Sequence, residues 1–571
     1  MTGLVRLSEY AQTASRHFRR EIFETLNSVG LSGGLLKGSL PEKPFALPLK
    51  DIRGVDPARG AAILDGRFAF SGHVLDADDP FERTMPSRRF ALSLHSFGWL
   101  RDLMACRDAD AEARAGQLID CWIGAYAKWN SFAWAPEISA QRLINWTLAP
   151  ALFREDESRL QALARQAKHL RQSIRHVEPG ADQLRGGAAL MLSGAQLGHA
   201  GLRDAGLRIL GSELPRQIMT DGGHISRSPA LTIEILTLLT LVDMAEGHAN
   251  RDTSGPVSRA MDRMAPLIRF FRLGDGGLCA FHGGGEGDRR TIDHVLAARD
   301  TGAKSFGFAP NSGYQRIEAG GACLIMDVGK PASGQASASA HASALAFELA
   351  AGGHRIVVNC GWTDQQPDSW REAVRATAAH SSLTIEETSS ARLIPNGWRR
   401  RLMGPRFDSQ PQKVTARRNE EDIGTWVEAS HDGYRDLFGL FHRRRVFLAA
   451  DGGDLRGEDG LYRPVEDGAP DDVDLRYRYA IRFHLHPDVK ASLARDGMSV
   501  LLVLGNGDGW RFRTDGGPIR IERSVYLATG GSPKRTSQIV VQGDAEPFGA
   551  GERPPNRVRW AFQRLGRVGG T

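Results

Sequence analysis

Apolar residues recur every three or four positions in the first half of the chain, between about residues 90 and 305. This spacing predicts amphipathic helices, because residues three and four apart share one face of a helix. The predicted helices are 110–129, 139–152, 157–176, 185–198, 230–246 and 257–273. Consecutive helices with short connections tend to pack as antiparallel neighbours, so we expect a bundle, a solenoid or a closed toroid. The absence of a strict repeat of about 30 to 45 residues disfavours the regular solenoid.

The period of the pattern changes to two from about residue 313 onwards. Such alternation is typical of strands with one buried face. The predicted strands are 314–318, 322–327, 345–349, 382–387, 425–429, 445–450, 479–486, 499–504 and 519–527. Glycine-rich turns such as Asp451-Gly-Gly453 separate several of them,. Many strands without intervening helices indicate antiparallel sheets stacked as a sandwich.

A chain of 571 residues is too long for one ordinary hydrophobic core,. We therefore predict a multidomain α + β protein. Its parts are an N-terminal extension and linker over residues 1–89, a helical domain over 90–308 and an antiparallel β-sandwich over 309–571.

The composition excludes several classes of protein. The chain is 41% hydrophobic and 25% charged, as in ordinary soluble globular proteins,. No apolar run approaches the ~18 residues of a membrane span, so we expect no membrane insertion. The net charge of +6 comes without a long Lys/Arg block, so we expect no nucleic-acid partner,. A mild basic bias fits an acidic polysaccharide equally well.

The cysteines and the N-terminus bear on the compartment. The chain has 5 cysteines with no paired spacing, which argues against a disulfide framework or a zinc knuckle,. Residues 1–40 contain no compact apolar run followed by a small-residue cleavage site, so no secretory signal is predicted,.

Two histidines bracket a β-rich stretch in the second half. His341 and His380 each stand beside a strand-like run, so a twisted antiparallel sheet can bring both imidazoles to one face,. Neutral imidazole binds metals and carries protons near pH 7, so the pair is a candidate site. His282 lies in a glycine-rich loop that permits close approach of a ligand or simply a tight turn,.

Five short motifs follow one another along the chain. They are 134–146 (Trp-Ala-Pro-Glu-Ile-Ser-Ala-Gln-Arg-Leu-Ile-Asn-Trp), 221–229 (Asp-Gly-Gly-His-Ile-Ser-Arg-Ser-Pro), the strand around His341, 358–361 (Val-Asn-Cys-Gly) and 375–380 (Arg-Ala-Thr-Ala-Ala-His). Together they resemble the heparinase II/III-like polysaccharide lyase superfamily over about residues 115–545. The resemblance implies an incomplete (α/α) toroid followed by stacked antiparallel sheets. It also implies β-elimination on a uronate-containing acidic polysaccharide and a location in the periplasm or cell envelope.

The resemblance also assigns candidate roles to individual residues. The implied catalytic residues are His341, Tyr434, His380 and His224. The candidate substrate-binding residues are Arg227, Gln183, Asn145, Trp146, Arg375 and His282. Arg227 is either a clamp for the sugar carboxylate or a solvated loop charge, and Asn145 and Trp146 are a candidate sugar platform, with core packing as the alternative for Trp146. Packing is likewise the alternative for Tyr434. Two family motifs are altered: Asp182-Gln183-Leu184 replaces an Asn-His pair, and Ser228-Pro-Ala-Leu-Thr232 lacks the usual tyrosine.

The family histidines that match His341 and His380 either act in catalysis or bind a structural metal, commonly zinc. The acidic ligand expected between them is replaced by Asn359. The adjacent Cys360 is a chemically better ligand, although strand alternation points it the other way. The alternative is that the two imidazoles only form hydrogen bonds within a polar part of the sheet.

Three functions stay open from the sequence. The leading one is a polysaccharide lyase, and the second is a catalytically altered relative that binds a cell-envelope polysaccharide. The third is a glycoside hydrolase on the same scaffold, which needs two facing carboxylates. The candidates Glu137, Glu178, Asp221 and Glu286 form no obvious pair. A cytoplasmic location is the alternative to the periplasmic one.

Overall fold

A computed structural model describes residues 2–28, 44–106, 109–253, 255–299, 306–463, 476–545 and 556–567 of the chain. The chain divides into two compact units. The first unit comprises Met1–Gly222, Ile233–Ala265 and Asp288–Thr301, and the second comprises Gly223–Thr232, Pro266–Gly287 and Gly302–Thr571.

The first unit is helical. The helices in this part of the chain are α1 Thr2–Ser28, α2 Pro57–Leu64, α3 Arg88–His95, α4 Leu100–Met104, α5 Ala109–Tyr126, α6 Pro136–Thr147, α7 Glu157–Ser173, α8 Ala181–Gln196, α9 Ala200–Gln217, α10 Pro229–His248, α11 Gly255–Phe271 and α12 Arg289–Ala297. A hairpin of β1 Arg67–Phe70 and β2 His73–Asp76 joins them. None of the helices in the described ranges is long and apolar enough to cross a membrane.

Short polar residues fix where several helices begin. Asp56, Asp156 and Asp288 each accept a hydrogen bond from a backbone N–H in the first turn of α2, α7 and α12 respectively. Such caps satisfy backbone donors that have no partner within the helix. The helix boundaries therefore follow from local sequence as well as from packing.

Helices α8 and α9 pack closely because glycines lie at their contact. A Cβ atom on Gly206 would lie 2.4 Å from both the Gly187 carbonyl oxygen and the Met191 nitrogen. Any side chain larger than hydrogen would force the two backbones apart at this point.

The second unit contains two large sheets whose described strand pairings are all antiparallel. The nine-stranded sheet has the order β19-β20-β15-β7-β6-β5-β4-β3, with β8 paired to β15. Its strands are β3 Phe308–Ala309, β4 Tyr314–Ala319, β5 Ala322–Asp327, β6 Phe347–Ala351, β7 His354–Val358, β8 Leu383–Ile385, β15 Tyr477–Leu485, β19 Ile519–Tyr526 and β20 Lys534–Ala545.

The eight-stranded sheet has the order β11-β12-β13-β14-β21-β18-β17-β16. Its strands are β11 Val414–Glu421, β12 Gly424–Tyr434, β13 Leu440–Ala449, β14 Asp454–Tyr462, β16 Lys490–Leu493, β17 Ser499–Val503, β18 Asp508–Thr514 and β21 Arg557–Arg567. A small pair of β9 Arg392–Leu393 and β10 Phe407–Ser409 and the short helices α13 Trp370–Ala373, α14 Trp398–Met403 and α15 Arg435–Phe438 complete this unit.

Side chains from the two large sheets form one hydrophobic core. Phe347 of the nine-stranded sheet stacks on Trp560 of the eight-stranded sheet with ring centroids 5.5 Å apart. Phe483, Phe512 and Phe562 pack around them. The predicted combination of a helical first part and a stacked antiparallel second part is confirmed.

Candidate functional site

A chain of hydrogen-bonded histidines lies in the second unit. His341 precedes β6, and its Nδ1 lies 3.1 Å from Nε2 of His380. Nδ1 of His380 lies 2.8 Å from the Ala376 carbonyl oxygen. The backbone N–H of His341 donates to Nδ1 of His282 at 3.1 Å. The structure therefore brings together three histidines that the sequence predicted as site residues.

The hydrogen bonds assign the tautomer of each imidazole. A carbonyl oxygen accepts only, so His380 carries its proton on Nδ1 and presents a lone pair at Nε2,. His341 must then donate through Nδ1, which leaves its Nε2 as the unprotonated nitrogen,. Nε2 of His341 forms no hydrogen bond with the described residues, so it holds a lone pair able to accept a proton.

Burial keeps these imidazoles neutral. Desolvation lowers the pKa of His341 well below its ordinary value, and the positive charge of Arg375, with any on His380 or His282, acts in the same direction. Burial likewise lowers the pKa of His380 to about 4. Only 3% of His341 is exposed. His341 is a neutral, oriented base, but a weak one with almost no access to solvent.

Asp327 is the charged anchor of this cluster. Its Oδ2 lies 3.2 Å from Nε2 of His282, and its Oδ1 accepts from Nη2 of Arg227. Nε2 of His282 also lies 3.2 Å from Nη1 of Arg227. The Asp327 carboxylate accepts hydrogen bonds from both side chains, and its negative charge lets these two N–H groups lie close together. Burial acts to raise the pKa of Asp327, but the charge of Arg227 and the hydrogen bond from His282 outweigh it and keep the pKa below its ordinary value.

Arg227 is committed to this internal network. It adopts a positive φ of 63° and donates to the carbonyl oxygens of Ser312 at 2.6 Å and Gly313 at 3.0 Å. The Tyr314 ring lies beneath the guanidinium, 4.9 Å from it, and the Tyr314 hydroxyl donates to the Arg227 carbonyl. With Asp327 as its counter-ion, this guanidinium is not disposed as a clamp for a sugar carboxylate.

Tyr434, the candidate acid or base, lies at the end of β12 inside the core. It is 0% exposed, and its hydroxyl donates to the Leu383 carbonyl oxygen at 2.7 Å. Burial raises the pKa of Tyr434 above its ordinary value. The hydroxyl proton is used within the fold, so this geometry favours packing over proton transfer to a polymer.

A second buried polar network lies between the sheets. His431 accepts from the Gly433 N–H through Nδ1, its Nε2 lies 3.3 Å from Nδ1 of His442, and Nε2 of His442 lies 2.7 Å from Asp459. Asp459 also pairs with Arg444, whose Nη1 donates to two backbone carbonyls. This network was not predicted from the sequence. The alternation of β13 was the available signal, because it places Arg444 among inward-facing apolar residues.

The remaining predicted residues of the second unit also have internal partners. Nδ1 of His224 lies 2.9 Å from the Ser226 hydroxyl within one turn. Arg375 donates to three backbone carbonyls, those of Ala340, Pro405 and Ser337, at 2.6–2.8 Å. These contacts give both residues a clear structural role.

The candidates of the first unit behave in the same way. The side-chain amide of Gln183 donates to the Ile174 and Val177 carbonyls and ties the start of α8 to the end of α7. Asn145 donates to the Ser96 carbonyl at 2.7 Å. Trp146 is 0% exposed among aromatic side chains, so its packing alternative is favoured over a sugar platform.

The residues present do not fit a zinc ion. Sγ of Cys360 lies 3.7 Å from Nδ1 of His484, whereas the side chain of the preceding Asn359 contacts Glu348 and accepts from the Ser381 N–H. The two imidazoles bond to each other, so the His380 lone pair is already used. Within the described parts of the chain, no group of three or more His, Cys, Asp or Glu side chains could hold a metal ion.

Comparisons with known proteins agree with the sequence and the fold. The family model described as heparinase II/III-like, C-terminal, matches residues 301–561. FtsZ-localized protein C of Caulobacter vibrioides is 37% identical over 567 residues, covering 96% of this chain and 95% of that protein.

Solved structures of lyases share the architecture. A heparinase III structure has a TM-score of 0.63 at 14% identity, covering 100% of this chain and 92% of that chain. A mutant heparan sulfate lyase HepC from Pedobacter heparinus has a TM-score of 0.56 at 13% identity, with the same two coverages. At these identities the likeness concerns the fold, and it confirms the helical toroid followed by stacked sheets. The chain belongs to the heparinase II/III-like superfamily.

Proposed function

We propose that this protein is a lyase-fold binding protein that does not cleave polysaccharide. The observation that carries the proposal is the burial of Tyr434, whose hydroxyl is consumed by a backbone carbonyl. Elimination from a uronate needs a neutralised carboxylate, a base and an acid. A protein that lacks two of these three groups keeps the lyase scaffold but does not catalyse the elimination.

The two requirements that this chain does not meet are a group that neutralises the substrate carboxylate and an acid that protonates the leaving oxygen. Gln183 uses its amide N–H groups on backbone carbonyls, and Arg227 already pairs with Asp327. The stretch that follows Ser228-Pro229 offers Leu231 and Thr232 in place of a phenol. An uncompensated substrate carboxylate would make the C5 proton hard to remove, because the developing negative charge has no partner.

We further propose that the protein localises with FtsZ. This follows from its 37% identity, over nearly the full length of both chains, with a protein named for FtsZ localisation. On this proposal the cytoplasmic alternative is preferred to the periplasmic one. An acidic polysaccharide is kept as a candidate ligand because the superfamily scaffold is that of polysaccharide lyases.

Two measurements test the proposal together. A fluorescent fusion is imaged with labelled FtsZ, and the purified protein is incubated with uronate polymers, including heparan sulfate, chondroitin, hyaluronan and alginate. We expect co-localisation and no rise in the ultraviolet absorbance that an unsaturated uronate would give. Diffuse fluorescence argues against the FtsZ association, and an absorbance rise argues against the loss of cleavage.

A weak lyase with His341 as the base is the second candidate function. It is favoured by the free Nε2 lone pair of His341, which His380 orients. In that case His341→Ala abolishes the absorbance signal, whereas His354→Ala on β7 leaves it unchanged. The zinc expected from the family is tested by metal analysis of the purified protein. Because the side chains of His341 and His380 do not form a set of zinc ligands with the other described residues, we expect no bound zinc, and zinc that is lost in His341→Ala and His380→Ala would contradict this.

A further inference from the structure

The outward face of the eight-stranded sheet is rich in arginine. Val446 and Leu448 of β13 point into the core, so Arg443 and Arg445 point outward,. The strand register continues this face over β12 and β11 on one side of β13, and over β14, β21 and β18 on the other side. Its arginines include Arg417, Arg443, Arg445, Arg513, Arg557 and Arg559.

The charges on this face do not balance. The single carboxylate of Glu458 lies 3.6 Å from Arg443, 3.4 Å from Arg557 and 3.6 Å from Arg559. One carboxylate offsets one of these positive charges. Arg417 and Arg513 are exposed and form no ion pair within the described ranges. Glu428 lies 3.0 Å from Nε of Arg445 and offsets that charge. The face therefore carries an excess of positive charge, with Arg417 and Arg513 as its unpaired guanidinium groups among the described residues.

Aromatic side chains hold part of the array in place. The Arg445 guanidinium lies 5.4 Å from the Trp426 ring centroid, and the Trp426 ring packs on Phe447 at 4.6 Å. Arg443 lies 5.9 Å from the Tyr462 ring centroid. Nε of Arg445 is already paired with Glu428, and stacking leaves the Nη groups at the outer edge of the guanidinium open to a further carboxylate,. It also covers these rings, so they do not offer a bare platform for a sugar.

The charges alternate along one row across the strands. The register partners run Arg417, Glu428, Arg445, Glu458 and Arg559 over five neighbouring strands. Strands lie about 4.8 Å apart, so successive arginines in the row recur at about 10 Å. An extended polypeptide in the polyproline II conformation has three residues per turn and rises about 3.1 Å per residue, so every third side chain lies on one face and recurs at about 9 Å, close to this repeat.

The same row discriminates between kinds of anion. Glu428 and Glu458 would repel a polymer that carries a negative charge on every unit, such as a nucleic acid or a heavily sulfated polysaccharide,. A polypeptide can place neutral residues over these carboxylates. The row is thus suited to a protein with spaced acidic residues.

We propose that this face docks an extended acidic segment of a partner protein. Carboxylates at about every third residue of the segment pair with Arg417, Arg445 and Arg559. This interaction is independent of the buried histidine cluster and of the proposed localisation with FtsZ. In this proposal the outer surface of the eight-stranded sheet binds a partner, whereas its inner face contributes to the hydrophobic core.

The test uses two synthetic peptides of identical composition. One repeats Glu-Ser-Gly, and the other groups all its glutamates in one block followed by the neutral residues. Binding to the full-length protein is measured by fluorescence anisotropy at low ionic strength, where exposed ion pairs are least screened. Duplex DNA and heparin are measured in parallel as uniform polyanions.

The face variant carries Arg417→Glu, Arg445→Glu and Arg559→Glu. The control variant carries the same charge change at Arg208, Arg520 and Arg523, which are exposed on α9 and on β19 of the other large sheet. We expect the face variant to bind the spaced peptide about tenfold more weakly, since three exposed pairs are replaced by repulsion. The control should change the affinity less than about twofold, since it keeps the row intact.

Several outcomes overturn the proposal. Equal losses in the two variants mean that net charge alone attracts the peptide, and equal affinity for the two peptides means that spacing is not recognised. Tighter binding of DNA or heparin, lost in the face variant, assigns the surface to a polyanion instead. If the face variant melts at a lower temperature, the three positions are changed to Gln and the comparison is repeated.

Discussion

The Tyr434 hydroxyl and the Leu383 carbonyl satisfy each other inside a core that water does not reach. Removing the hydroxyl leaves the carbonyl oxygen buried without this partner, which costs about 1–2 kcal/mol. We therefore predict that Tyr434→Phe lowers the free energy of unfolding by about that amount, as measured by urea denaturation. Tyr462→Phe on β14 is the control, because that ring is only partly buried. A Tyr434→Phe protein of unchanged stability would contradict the assigned role.

Individual polar residues were the least predictable part of the site. The sequence predicted that His341 and His380 share one face of a sheet and singled out His282 separately in a glycine-rich loop, and the structure joins all three through hydrogen bonds. It did not indicate that Asp327 would neutralise Arg227, because their pairing spans 100 residues of chain. Partner choice for a buried charge depends on tertiary geometry that local patterns do not contain.

At the scale of helices and strands, prediction was more successful because periodicity is a local property. Predicted helix 157–176 corresponds to α7 and its following turn, and predicted strand 499–504 corresponds to β17. Predicted strand 345–349 begins two residues before β6, where Leu345 adopts a positive φ of 62°. A left-handed residue at a strand end leaves no trace in the hydrophobic pattern.

The contact between α8 and α9 yields a test at this scale. Gly206→Ala would place a Cβ atom 2.4 Å from backbone atoms of α8, so the helices must separate. We predict a loss of about 1–3 kcal/mol in the free energy of unfolding, as for other overpacked sites.

Gly211→Ala in the same helix is the matched control. Its Cβ atom would meet only Pro256, at 3.9 Å. That substitution should be neutral or stabilise the protein by up to about 1 kcal/mol, because alanine favours helix more than glycine does. Equal effects of the two changes would show that the helix contact is not tight.

Over the whole molecule, buried neutral histidines couple folding to pH. Burial lowers the pKa of His380 and His169 to about 4, and that of His95 and His484 to about 3. In the unfolded chain these groups titrate near 6.5. Between the two values the unfolded state binds more protons than the folded state, so stability falls as the pH is lowered below about 6.5.

The dependence of the unfolding free energy on pH can be assigned to particular histidines by substitution. Each histidine with a folded pKa of about 4 should cost about 2 kcal/mol between pH 7 and pH 5,. His380→Gln removes one such group, so its loss of stability over this interval should be smaller than that of the original protein by about the same amount. His354→Gln, at a partly exposed histidine on β7, is the matched substitution for comparison. The readout is the difference between urea-derived unfolding free energies at the two pH values, so a uniform destabilisation by either substitution does not affect it.

A His380→Gln slope equal to that of the original protein would mean that His380 is protonated within the fold. The hydrogen bond that orients His341 would then be reversed, and the free lone pair on which a residual lyase activity depends would be lost.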